Sequence, residues 1–441
     1  MKNEINPAAP LSLSRAMDAL LTKPVRVDVE HAREDAPDVL ARRAPWRLDP
    51  SLTFLNHGSY GAVLAPVLEA QAAMRERMER DPVRFFKADL EVLTDGVRES
   101  LGAFARCRAA DLAPVSNATI GLCTILANTP LEPGDEILVC DHDYQSIFNE
   151  LERVCARTGA RMVKATIPFP ISGPDEVVER FMECVTPRTK LAFVAHITSA
   201  TSLVFPAAAI THELVSRGID TVVDGAHTPG QLPMDIAAMR PTYFVGSGHK
   251  WLSAPKGTGF VYVRSDKQAA FRTLALSSRA AKVRPERSLY RRDFDYMGTS
   301  DYTPILAMPA AIQHMGELLP GGWPELMRRN HALVMKGREI LCKALGIDAP
   351  APESMIASMA TLPLPEPAPE LVNRPTLYDD ALQDELITRH RIVVPIWRWG
   401  PNNQRVIRIS AQLYNTVADF EKLAGALLEE LAREKAYRAT A

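Results

Sequence analysis

At 441 residues, 46% apolar and 24% charged with a formal net charge of −2, the chain has the balance of a globular protein with a sizeable core. It lacks the basic excess or stripe that nucleic acid requires, the roughly 18-residue apolar run that spans a membrane, and, in MKNEINPAAPLSLSRAMDALL, the continuous apolar segment of a secretory signal. Six scattered cysteines, none in a CxxC pair, disfavour a disulfide frame or a metal site and point to reduced thiols in a cytoplasm.

Residues 1–50 are proline-punctuated and highly charged, and they read as an arm or short helix lying on the body. After the turn FLNHGSYG a helix opens at APVLEAQ, its proline in the first turn. Leu90, Leu93, Val97, Leu101 and Phe104 then recur at the spacing of a second helix. Between about 110 and 265 short apolar runs alternate with helical stretches: DEILVCD, ARMVKATI, KLAFVAHI, DTVVDGA, TYFVGSG and GFVYV. Such runs predict strands buried on both faces, hence an α/β fold with a mainly parallel sheet between helices. The basic segment RAAKVRPERSLYRR reads as a solvated loop or a subunit contact. A helix-rich stretch (304–346) and the proline-rich PLPEPAPELVNRP precede the runs IVVPIW and RVIRISAQ. A last helix, opened by Thr416 with Asp419 as its capping-box partner, completes a smaller α+β unit. The expected division is an arm (1–50), a large domain (51–310) and a small C-terminal domain (311–441).

In open parallel sheets ligands bind beyond the carboxyl ends of the strands, so the residues that follow each run come under scrutiny. These are Asn117 to Thr119, Asp141 to Tyr144, His196 to Ser199, Asp224 and His227, and Ser247, His249 and Lys250. Singly each is weak; together they describe one site. SNAT opening a helix offers backbone N–H groups and a hydroxyl to a phosphate, and Ser247 and His249 add two donors. Lys250 is placed to form a Schiff base with an aldehyde such as pyridoxal phosphate, Asp224 to hold a pyridine nitrogen protonated, and Tyr144 to stack on the ring. Lys256, between Pro255 and Gly257, reads as a turn residue instead.

Eight segments in order, FLNHGSYGAV, SNATIG, DHDY, HITSATSLVFP, DGAHTPGQ, HKWLSAPKG, YMGTSDYTP and RISAQLYNT, resemble the class V aminotransferase family of fold type I pyridoxal-phosphate enzymes. Within it they are most similar to the isopenicillin N epimerase-like branch. The resemblance implies a seven-stranded sheet and pyridoxal 5′-phosphate as cofactor. It implies that Lys250 takes the aldehyde, Asp224 the ring nitrogen, His227 and Ser199 the region of the ring hydroxyl, and that Tyr144 stacks. Ala118, Thr119, Ser247 and His249 would hold the phosphate. Gly298 and Thr299 match a segment that reaches the partner subunit's cofactor, which implies a homodimer with a shared site. Arg408 matches the residue that grips a substrate carboxylate, and Asn56 and His57 the loop that edges the substrate. Cys342 sits in a helical pattern and reads as core, so the persulfide-carrying thiol of a desulfurase is not expected.

The branch implies chemistry at Cα or Cβ of a small amino-acid-like substrate. β-Elimination from a cysteine-derived conjugate of specialised metabolism is placed ahead of epimerisation, decarboxylating oxidative deamination and transamination. A cofactor-free binding or scaffold protein is the alternative of another class.

Overall fold

The computed structural model describes residues 45–440 except 283, 368 and 373; residues 1–44 of the expected arm lie outside the described residues. Strand β1 (Thr53–Phe54) leads through a one-turn helix (His57–Tyr60) to helices α1 (Ala65–Arg80) and α2 (Leu90–Ala105). Then come β2 (Leu112–Val115), α3 (Ala118–Asn128), β3 (Glu136–Cys140), α4 (Gln145–Thr158) and β4 (Arg161–Ala165). They are followed by α5 (Pro174–Glu183), β5 (Thr189–Ala195), α6 (Ala207–Ser216), β6 (Asp220–Gly225), β7 (Tyr243–Ser247) and β8 (Gly259–Val263).

β2 to β8 form one sheet in the order β2-β8-β7-β6-β5-β3-β4; β8 runs against both neighbours and the other six share one direction. The fold is therefore the expected α/β one, and all six apolar runs are strands. The seventh strand, β2, is not one of those runs. It is four residues long and contains Pro114, whose missing N–H is tolerated because β2 lies at a sheet edge. Burial on both faces holds for β3, β7 and β8 but not for β4, the other edge, where Arg161 and Lys164 are exposed.

The C-terminal part holds α7 (Gly322–Leu345), β9 (Met359–Pro363), β10 (Ile392–Val393), β11 (Ile396–Trp399), β12 (Gln404–Ser410) and α8 (Val417–Thr440). β11-β12-β9 is an antiparallel sheet, covered by α7 and α8 through a core that includes Val334, Leu341, Phe420 and Leu427. As the capping-box spacing predicts, Asp419 accepts the Thr416 backbone N–H at 3.0 Å. β1 pairs in parallel with β10, and the Ser410 N–H donates to the Leu55 carbonyl at 3.0 Å, so the turn after β1 is held against the end of β12. Residues some 350 positions apart in sequence thereby meet beside the large sheet's strand ends.

The basic segment is a loop only partly in solvent: Lys282 and Glu286 are exposed, but several of its arginines are tied to the body. Arg279 and Arg284 pair with Glu91 (3.2 and 2.7 Å), and Arg287 with Asp95 (2.8 Å) and with Asp295. Asp295 is fully buried against Arg98 at 2.6 Å. Segment 279–295 is thus fastened to α2 by charge pairs, some of them out of water, where pairing matters most.

Candidate active site

Strands β3, β5, β6 and β7 end on one edge of the sheet, and the segments that leave them enclose a cavity of about 450 Å3. Its wall includes Ala118, Thr119, Tyr144, Ser199, Asp224, His227, Ser247, His249 and Lys250, which the sequence singles out. It also includes Ser59 and Tyr60 from the turn after β1, and Asn117, His142 and Ile197, which lie within the strand-end segments but carry no individual assignment there.

Lys250 follows β7 by three residues, in a tight turn closed by the Ser253 N–H donating to the Lys250 carbonyl at 3.1 Å. Its Nζ is 3.0 Å from His227 Nε2. Burial, and then the nearby Arg408 charge, pushes the lysine amine down to about 7, while Asp224 opposes the shift. An amine in that range is partly uncharged at neutral pH and so competent both as nucleophile and as base. His227 is driven well below its ordinary range by burial and the positive charge of Lys250, so its ring is neutral. Its Nδ1 is buried without a partner among the described residues. Asp224, at the end of β6, is raised by burial, against which the Ala226 N–H (2.9 Å) and Lys250 stabilise its charge.

One end of the cavity is rich in donors. Asn117 caps α3 by accepting the Ile120 N–H at 2.9 Å. That leaves the N–H groups of Ala118 and Thr119, in the first turn of α3, without helix acceptors and at the positive end of its dipole. Ser247 closes β7, and His249 Nδ1 lies 3.1 Å from the Thr258 carbonyl, which leaves Nε2 as its free ring nitrogen. Tyr144 stands at the start of α4, half-exposed in the cavity wall.

Arg408, on β12, lies just behind the wall. Its Nη1 donates to the Ser199 carbonyl (2.8 Å) and Nη2 to the Ser59 hydroxyl (2.9 Å), both from residues that line the cavity. Nε is buried without a partner among the described residues, and Trp397 lies under the guanidinium at 5.1 Å. Burial brings Arg408 down to about 10. An arginine with a buried unpaired donor and two exchangeable hydroxyl or carbonyl partners is equipped to receive a carboxylate.

Besides Arg408, four expected residues are not in the cavity wall. His57 is fully buried, with Nδ1 on the Tyr414 hydroxyl (2.9 Å) and Nε2 on the Lys250 carbonyl (3.1 Å), and is not part of the cavity wall. Asn56 accepts the Ser59 hydroxyl at 2.6 Å and is likewise outside the wall. The one-turn helix places Ser59 and Tyr60 there in their stead. Gly298 and Thr299 lie away from this chain's own cavity, Thr299 exposed and bonded to the Tyr296 hydroxyl at 2.7 Å. Lys256 is a loop tie: its Nζ donates to the Gly61 carbonyl at 2.9 Å.

The family described as Aminotransferase class-V matches residues 75–423. An isopenicillin N epimerase of Amycolatopsis lactamdurans is 35% identical over 398 residues, covering 87% of this chain and 96% of that protein. A probable chloroplastic L-cysteine desulfhydrase of Arabidopsis thaliana is 26% identical, covering 86% and 83%. Among solved structures, the cystine C–S lyase C-DES in complex with cysteine persulfide shares the fold with a TM-score of 0.70 at 20% identity, over 86% of this chain and 97% of that one. A cysteine desulfurase of Escherichia coli does so with a TM-score of 0.72 at 18% identity, over 91% and 100%. The chain is a member of the class-V aminotransferase family and, with it, a pyridoxal 5′-phosphate-dependent enzyme.

Proposed function

We propose that the chain is a C–S lyase that eliminates the β-sulfur substituent from a cysteine-derived amino acid of specialised metabolism. The cavity fits the cofactor group by group. Lys250 offers an amine, Asp224 would offer a carboxylate to the ring nitrogen, and His227 would offer its unpartnered buried nitrogen to the ring hydroxyl. The start of α3 with Ser247 and His249 offers donors for the phosphate, and Tyr144 a ring face. When bound there, pyridoxal phosphate supplies an electron sink for negative charge at the substrate's Cα.

The chain's own residues do the rest. Arg408 exchanges Ser59 and Ser199 for the substrate carboxylate and fixes its orientation. Lys250, partly uncharged at neutral pH because burial lowers its amine to about 7, takes the Cα proton. His227 holds the amine in place through the 3.0 Å contact. The Cβ–S bond then breaks with its electron pair on sulfur, giving a thiol and an enamine that water converts to pyruvate and ammonia. The observation that carries this reading is the buried Lys250–His227 contact, with the lysine amine lowered to about 7, in a cavity whose wall contains no cysteine among the described residues. The six free thiols accord with a reducing, cytoplasmic setting. Placement of Gly298 and Thr299 outside the chain's own cavity accords with a homodimer in which they serve the partner's site.

A second reading, epimerisation at Cα, is favoured by the 35% identity to an isopenicillin N epimerase. Incubation with S-substituted cysteines in deuterated water separates the two. Release of thiol, pyruvate and ammonia supports the lyase; Cα deuterium exchange with inversion and no release replaces it by the epimerase.

A further inference from the structure

His57 is fully buried and makes no part of the cavity wall, yet it touches the backbone of Lys250. The Ala62 backbone N–H donates to His57 Nδ1 at 3.3 Å, and the Tyr414 hydroxyl lies 2.9 Å from the same nitrogen. A backbone N–H only donates, so Nδ1 is the accepting nitrogen and the ring proton sits on Nε2. Nε2–H then donates to the Lys250 carbonyl oxygen at 3.1 Å. The Gln412 amide nitrogen also approaches Nε2, at 3.4 Å, a longer contact than the one to the Lys250 carbonyl, which is the stronger partner. Burial, aided by the Lys256 charge, pushes the His57 imidazole down to about 3, so this neutral tautomer persists across neutral pH.

The same short turn meets the lysine a second time. Gly61, at φ +67°, packs so closely that a Cβ there would lie 2.2 Å from the His249 carbonyl oxygen and 2.6 Å from that of Lys250. The Trp251 ring, fully buried, lies 4.8 Å from the imidazole and closes the remaining side.

We propose that His57 is a positioning residue for Lys250: its Nε2–H fixes the lysine's backbone carbonyl, while Tyr414 and Ala62 fix the imidazole. The turn after β1 is then a buttress behind the amine and not an edge of the substrate pocket. Where the backbone of Lys250 sits decides where Nζ reaches, and a displacement of about 1 Å at a reacting group costs on the order of a hundredfold in rate. The inference rests on Lys250 being the reacting amine, as in the proposed function.

The experiment compares parent protein, His57→Leu, His57→Gln and Tyr414→Phe. Cofactor-free protein is given pyridoxal phosphate, the attachment is fixed with borohydride at timed intervals, and the modified peptide is identified by mass. Steady-state kcat and KM are measured alongside. His57→Leu is expected to slow capture at Lys250 and to lower kcat, each by about tenfold or more, with KM within about threefold. His57→Gln, whose amide N–H falls near the place of Nε2, restores most of both. Tyr414→Phe, which keeps the imidazole, gives a smaller loss in the same two quantities and stands in if His57→Leu does not fold. Parental capture rate and kcat in a folded His57→Leu, or in Tyr414→Phe should that be the variant read, overturn the inference. So does a fall in KM-dependent binding alone. Attachment to another lysine in the parent sinks the proposed site itself, which is a separate result.

Discussion

Lys250 and Lys256 stand six residues apart on the loop between β7 and β8, in the same run of small residues, and the fold treats them in opposite ways. Lys250 opens into the cavity, where burial brings its amine to about 7 and His227 receives it at 3.0 Å. Lys256 turns outward and spends its charge on a carbonyl of the turn after β1. Both ends of the loop therefore serve that turn: His57 holds the Lys250 carbonyl, and Lys256 holds the Gly61 carbonyl. What separates the lysine proposed to react from the structural one is not the local sequence but which strand end and which partners the sheet brings alongside.

The comparison is broken most severely by Lys250→Ala. Loss of the group that is both nucleophile and base is expected to lower kcat by at least roughly 10³-fold, read as product release under saturating substrate. Full activity in that variant would equate the two lysines.

How far this contrast was legible follows from the residues themselves. Apolar runs announce β3 to β8, and the polar residues behind them announce Asp224, His227, Ser247 and Lys250, because in a parallel sheet position along the strand decides position at the site. The turn after β1 obeys no such rule. His57 is buried behind the lysine while Ser59 lines the cavity, and Gly58 between them packs on Met359 and Ser410, with a Cβ there only 2.4 Å from the methionine sulfur. That contact depends on β9 and β12, some three hundred residues away, and no local pattern encodes it. His142 lies in the strand-end segment Asp141 to Tyr144, but its place is set by the Thr201 hydroxyl at 2.6 Å and the Ile167 carbonyl at 2.9 Å, partners that only the folded chain supplies. β2 escaped because Pro114 makes LAPV unlike a strand unless its edge position is known.

Next in size is Arg408→Lys. Lysine has no planar fork, so about 1.5–3 kcal/mol of charge-assisted bonding to a carboxylate is lost. KM for an amino-acid substrate is expected to rise tenfold to a hundredfold with a smaller change in kcat. Unchanged KM would remove Arg408 from substrate recognition.

The pH response sharpens the comparison without mutation. A base whose value is lowered sheds its proton earlier on the alkaline side. In cofactor-free protein, labelling of Lys250 by an amine-reactive reagent should therefore climb between about pH 6 and 8 and level off. An ordinary surface lysine goes on climbing to about pH 10. Peptide mass spectrometry reads both kinds of site in one digest, and a Lys250 profile that climbs with the surface lysines would contradict its burial.

The smallest effect belongs to Lys256→Ala. It removes one hydrogen bond, to the Gly61 carbonyl, worth about 1 kcal/mol of stability, and should leave kcat within about twofold. Thermal unfolding and steady-state rates check the two parts separately.

The most direct test of the central claim is the identity of the lysine that holds the cofactor. Protein loaded with pyridoxal phosphate is reduced with borohydride, digested and mapped by mass. The account predicts the added group on the peptide carrying Lys250, with Lys256 unmodified; attachment at any other lysine, or an active enzyme with no attachment at all, would contradict it.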